Sequence, residues 1–226
     1  MSKPIKYIQN SYTNFSERQE TLLHRSINVY IKDPLDNVSL LSVLNKVEAL
    51  IPRRLLTNIE VIYVGKFDFL DKKEMNAMYK DSALYISNDQ DDEEDMVDDI
   101  IHEIAHAVEE KYGFEIYDDD KIKEEFIGKR KKLFSLLKAY DYLPDLRLFL
   151  NTEYSKDFDD YLYKEIGYPK LEQISMNLFI SPYSITSLRE YFAIGLEAFF
   201  LNNKKELKNI CPQLYYKIEE VVASEE

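Results

Sequence analysis

The chain has 226 residues, 45% of them hydrophobic, with 5 Gly, 7 Pro and a single Cys. That composition excludes collagen-like, linker-like and disulfide-framed classes, and it supplies enough apolar mass for a packed core. The net charge of −13 repels phosphate groups, so neither nucleic acid nor an anionic membrane surface is an expected partner. Residues 1–20 (MSKPIKYIQNSYTNFSERQE) are polar and aperiodic, and they read as a loosely ordered arm without the apolar stretch of a secretory signal. No run approaches the ~18 apolar residues of a membrane span. The expected compartment is the cytoplasm, with signal-independent export as the other route.

Residues 26–32 (SINVYIK) alternate and are β-branched, which predicts a strand. Asp33-Pro34 marks a turn. In residues 39–50 the apolar positions Leu40, Leu41, Val43, Leu44, Val47 and Leu50 have helical spacing, and Pro52 ends the helix. Residues 58–65 and 82–87 predict two further strands. The last of these is the candidate edge for an extended peptide. An acidic run follows: Asp89, Asp91, Asp92, Glu93, Glu94, Asp95, Asp98 and Asp99. It suits the positive end of a helix, and it lacks the spaced ligands and central Gly of an EF-hand loop. The helix continues through Val97, Ile101, Ile104, Ala105 and Val108 and should stop near Gly113. Residues 116–170 are mixed and tyrosine-rich, with a helix over 122–140, a break at Pro144, and short helices over 146–150 and 158–166. Residues 187–202 form a strongly apolar helix, and 212–222 a last one. Strands come early and helices late, so the fold class is α+β, in a single domain over 1–226.

His102-Glu103-Ile104-Ala105-His106 is the H-E-x-x-H pattern inside this amphipathic helix. Residues four apart share a face, so both imidazoles can meet one metal ion, and Glu103 stands beside them as a base toward water. Only 3 His occur in the chain; the third, His24, has no partner motif and reads as incidental. Catalytic zinc takes three protein ligands. No H-x-x-G-x-x-H extension follows His106, which argues against a metzincin, so a carboxylate is the expected third ligand. Glu190 and Glu197 stand seven apart on one face of the apolar helix, where a carboxylate needs a partner. Glu190 also fits a capping box with Ser187.

HEIAHAVEE (residues 102–110) followed by EYFA-x-x-LEAFF (residues 190–200) resembles the catalytic domain of anthrax lethal factor. It resembles the clostridial Pro-Pro endopeptidases more strongly still, as does the run LKNICPQLY at 207–215. The specific motifs cover about 95–110 and 183–222. The resemblance implies a zincin-like fold of the gluzincin type, with His102, His106 and Glu190 as zinc ligands and Glu103 as general base. It also implies Tyr183, seven residues before Glu190, as the phenol that steadies the oxyanion.

Three departures accompany it. The gap from His106 to Glu190 is longer than in those relatives, which makes 116–170 an inserted helical segment. The relatives carry an acid four residues after the third ligand; Ile194 stands there in this chain, so that supporting role either passes to Glu197 or Asp99 or is missing. The relatives are secreted and this chain shows no signal, so their Pro-Pro specificity is not carried over. The resulting expectation is a zinc-dependent endopeptidase acting on a peptide or protein substrate. The alternatives are an intracellular regulatory protease that cuts one partner protein, and a silent zincin scaffold serving as a binding or virion-associated module.

Overall fold

The computed structural model describes residues 21–24, 26–201 and 203–224; the expected arm over 1–20 lies outside them. The chain divides into two compact units, one ending at Ile100 and the other starting at Ile101. The class is α+β.

The N-terminal unit holds strands β1 (Thr21–Leu23), β2 (Ile27–Ile31), β3 (Val61–Gly65), β4 (Ala77–Lys80) and β5 (Ala83–Ser87). They form a mixed sheet in the order β1-β2-β3-β5-β4. The pairs β2/β3 and β3/β5 are parallel, while β1 and β4 add antiparallel edges. Val29, Ile62, Val64, Leu84 and Ile86 are buried. In the alternate register Tyr30, Tyr63 and Tyr85 align and stack, with centroids 5.7 and 5.4 Å apart. Helix α1 (Leu40–Leu50) starts at Ser39, whose side chain accepts from Ser42 N, and buries Leu40, Val43, Leu44 and Val47. It ends before Pro52, where Ile51 turns extended. A one-turn helix α2 (Asp68–Asp71) follows β3.

The strand expected over 82–87 is not an edge. β4 pairs with it and takes the edge position. The hairpin turns on Asp81 and Ser82, at φ 51° and 60°. Positive φ at both central residues is the tight hairpin geometry whose twist matches paired strands. Neither residue is Gly or Asn, so the turn carries little sequence signal.

Helix α3 (Glu93–Tyr117) carries the acidic run in its first turns and belongs to both units. It does not stop near Gly113. Tyr112 leaves helical geometry (φ −107°, ψ 16°), so the glycine marks a bend rather than an end. The C-terminal unit continues with α4 (Lys121–Ala139), α5 (Leu146–Leu150), α6 (Lys156–Asp160), a π-helical stretch Tyr161–Ile166, α7 (Tyr168–Ser175), α8 (Leu188–Phe200), α9 (Lys204–Ile210) and α10 (Pro212–Ala223). The single helix expected over 158–166 is thus two segments. Gly167, at φ +81°, ends the second.

Two residues of α4 tie this unit together. Arg130 is fully buried, and its guanidinium donates to the carbonyls of Leu148, Asn151, Ile185 and Thr186. It lies over the rings of Phe126 and Phe158 at 4.4 and 4.5 Å. Burial lowers its pKa to about 9, so it remains charged at neutral pH. Arg130 therefore joins the 148–151 chain to the turn that precedes α8. Glu125 accepts from Tyr191 Oη (2.8 Å) and from the amides of Gln213 (3.0 Å) and Leu214 (3.2 Å). A carboxylate at the first turn of α10 satisfies orphan N–H groups and suits the helix dipole. At Gly195 helices α8 and α10 approach so closely that a Cβ would sit 2.4 Å from Leu214 Cδ2. Among the described residues no helix is long and apolar enough to cross a membrane.

Candidate metal centre

Helix α3 puts His102 and His106 one turn apart, with ring centroids at 5.0 Å and planes at 87°. Helix α8 faces them with its first turn. Ser187 caps it, and its hydroxyl accepts from Glu190 N at 3.1 Å. Only that half of the capping box forms, because the Glu190 carboxylate turns to the histidines. Glu190 Oε2 is 3.1 Å from His102 Nε2, and Oε1 is 3.7 Å from His106 Nε2. Helix α8 also buries Tyr191, Phe192, Ala193, Leu196, Ala198, Phe199 and Phe200. Each large apolar side chain among them contributes about 1.5–3 kcal/mol. That burial anchors the helix and fixes where its few acids project.

Among the described residues, His102, His106 and Glu190 form the one group able to hold a metal, with donor atoms within 4.8 Å of one another. Ligand bonds of ~2.0–2.1 Å at tetrahedral angles place donors about 3.3 Å apart. The observed separations, 3.1 Å from His102 Nε2 to Glu190 Oε2 and 3.7 Å from His106 Nε2 to Glu190 Oε1, lie near that value, each through a different carboxylate oxygen. Two imidazoles and one carboxylate are also a donor set that zinc takes at catalytic sites. The residues therefore fit zinc.

Around this group lies a ring of supporting charges. Glu197 Oε2 is 3.3 Å from His102 Nδ1. The two acids of α8, seven residues apart and so ~10.5 Å along the axis, bracket one imidazole. Burial opposes the charge on His102, but the bonds to Glu190 and Glu197 outweigh it and raise its pKa to about 10. Burial also works against the Glu190 carboxylate. The His102 bond and the charges of His106, His102 and Arg189 still bring Glu190 below the usual carboxylate range. On the other histidine, Arg189 Nε donates to His106 Nδ1 at 3.0 Å. Arg189 Nε also stands 3.4 Å from Glu109 Oε2.

Glu103 is 5% exposed and its charge is felt at His102. Tyr183 opens the 3-10 turn Tyr183–Ile185 just before α8, its ring centroid 6.3 Å from that of His102. Burial and the Glu190 charge push its pKa above the ordinary tyrosine value, so the phenol keeps its proton. All five expected site residues thus lie in the C-terminal unit. Of the two acids considered for support of the ligands, Glu197 reaches His102, and Asp99 belongs to the N-terminal unit. His24 sits at a turn with Nε2 3.0 Å from Ile51 O, apart from the group. Cys211 is buried, and burial raises its thiol to about 11.

Glu109 and Arg189 escaped the sequence reading. Each neighbours a candidate ligand, but a charged residue on a helix face ordinarily signals only solvation. The spacing that could have found Glu109 is i, i+3 from His106. Comparison of the chain with protein-family models, curated proteins and solved structures finds no match.

Proposed function

We propose that the chain is a zinc-dependent endopeptidase of the gluzincin type, with a zincin-like catalytic fold. The observation that supports this most is the convergence of the donor atoms of His102, His106 and Glu190 within 4.8 Å of one another, a donor set that zinc takes. Zinc held by these three residues would supply Lewis acidity toward water and toward a peptide carbonyl. Glu103 accepts the proton of the attacking water and later returns it to the leaving amine. Its burial keeps bulk water from competing for that proton. Tyr183 donates a hydrogen bond to the carbonyl oxygen as negative charge builds there. Glu197 holds the His102 ring in orientation through Nδ1.

The test is a peptide library incubated with zinc-loaded protein, wild type beside Glu103→Gln. The wild type should cleave internal bonds. The variant should bind zinc equally and cleave nothing, because the amide keeps the shape and cannot take the proton. Full activity in Glu103→Gln would remove the general base from this account. Zinc-loaded wild type that leaves the whole library intact would favour a silent scaffold.

A further inference from the structure

We propose that Arg189 and Glu109 form a latch on His106. Arg189 holds the imidazole in the tautomer that rejects a metal, and Glu109 stabilises the tautomer that accepts one. This rests on the reading of His102, His106 and Glu190 as zinc ligands.

The hydrogen-bonding inventory drives the argument. Arg189 Nε lies 3.0 Å from His106 Nδ1. A guanidinium has no acceptor, so Nδ1 must be the acceptor and carry no proton. A neutral imidazole has one N–H, which then sits on Nε2. That is the nitrogen 3.7 Å from Glu190 Oε1, and coordination requires it bare. A metal therefore enters only when Arg189 leaves Nδ1 and the ring proton moves from Nε2 to Nδ1 by exchange with water. The ring holds one proton before and after.

Glu109 is placed to receive the proton in its new position. Its Oε2 lies 3.9 Å from His106 Nδ1 and 3.4 Å from Arg189 Nε. Its other oxygen is taken by Tyr117 Oη at 2.5 Å, a residue two turns further on beyond the bend at Tyr112. Oε2 alone faces both claimants. The burial is asymmetric as well. The Arg189 side chain is 54% exposed, with solvent beside it, whereas Glu109 is 16% and His106 7% exposed. His102 has no such latch, because Glu197 meets its Nδ1 directly. Arg189 and Glu109 are thus positioning residues with opposed effects on the same ring.

The test reads tautomer and affinity separately, on the full chain. Nitrogen-15 correlation spectra of His106 in metal-free wild type should show the proton on Nε2, and in zinc-loaded protein on Nδ1. Arg189→Met should move the metal-free ring toward the Nδ1–H tautomer. It should also tighten zinc, measured by chelator competition, about tenfold, the worth of one competing hydrogen bond. Glu109→Gln should weaken zinc about 10- to 100-fold, as loss of a carboxylate behind a ligand histidine does. Metal-free wild type with its proton already on Nδ1 overturns the latch. So does an Arg189→Met variant whose affinity changes while its tautomer does not, since removal of a charge would suffice for that. Protein with the expected tautomers that takes up no zinc would keep the latch and overturn the metal reading instead.

Discussion

His102 carries two opposed demands. Held between Glu190 and Glu197 and largely buried, it has a pKa near 10 in place of the ordinary 6.5. In metal-free protein at pH 7 it is therefore a cation, standing where the metal's charge would stand. A raised folded-state pKa gives stability that is fully present below about 6.5 and lost as pH climbs through about 10. The metal-free protein should accordingly lose stability on the alkaline side, as denaturation at stepped pH would show. Zinc needs the neutral ring, so uptake at pH 7 should release about one proton from His102. Calorimetry in buffers of differing ionisation enthalpy counts that proton, and Glu197→Gln should reduce the release together with the affinity. In the proposed reaction Tyr183 acts at a later stage. Its phenol stays protonated and lies beside His102. Tyr183→Phe should leave zinc content unchanged and lower kcat about 10²–10³-fold on a cleaved peptide. Wild-type kcat in that variant would place the oxyanion donor elsewhere.

The two helices that carry the candidate site were the easiest elements to read in the sequence. In α3 and α8 the apolar residues recur at helical spacing, and the polar residues that interrupt them are the site itself. The capping serine at 187 fixed the start of α8 in advance. What was not readable follows from packing between distant segments. β4 is four residues, Ala77–Lys80, with no alternation to announce it, and only its pairing to β5 makes it a strand. The short helices α7 and α9 bury only Leu171, Ile174 and Ser175 in the one and Leu207 in the other, too few apolar positions to mark a stripe. Arg130 sits in a basic stretch of α4, where sequence alone gives no sign of burial, yet it is fully buried. Arg130→Met would leave the carbonyls of Leu148, Asn151, Ile185 and Thr186 without their donor. Of these residues Ile185 and Thr186 are fully buried; each unmet buried group costs about 1–3 kcal/mol, so the variant should lose at least ~2 kcal/mol in chemical denaturation. Because those carbonyls flank Tyr183 and the cap of α8, zinc affinity should fall with it. A variant as stable as wild type would show that the loops are held by other means.

For the molecule as a whole, the net charge of −13 and pI near 4.8 argue against phosphate-rich partners. They favour the approach of cations, whether a metal ion or a basic peptide segment. The early strands and late helices gave the α+β class from the sequence. The assembly of the site did not follow from that class, since a fold does not dictate a function. It follows from four side chains, His102, His106, Glu190 and Glu197, brought together from positions up to 95 residues apart. The most direct measurement of the central claim is zinc-edge X-ray absorption on protein dialysed against zinc, with elemental analysis of the same sample. One zinc per chain, with two imidazole nitrogens and a carboxylate oxygen at ~2.0–2.2 Å and loss of that shell in Glu190→Ala, is the predicted result. Sub-stoichiometric zinc, a shell without imidazole, or a shell unchanged in Glu190→Ala would contradict it.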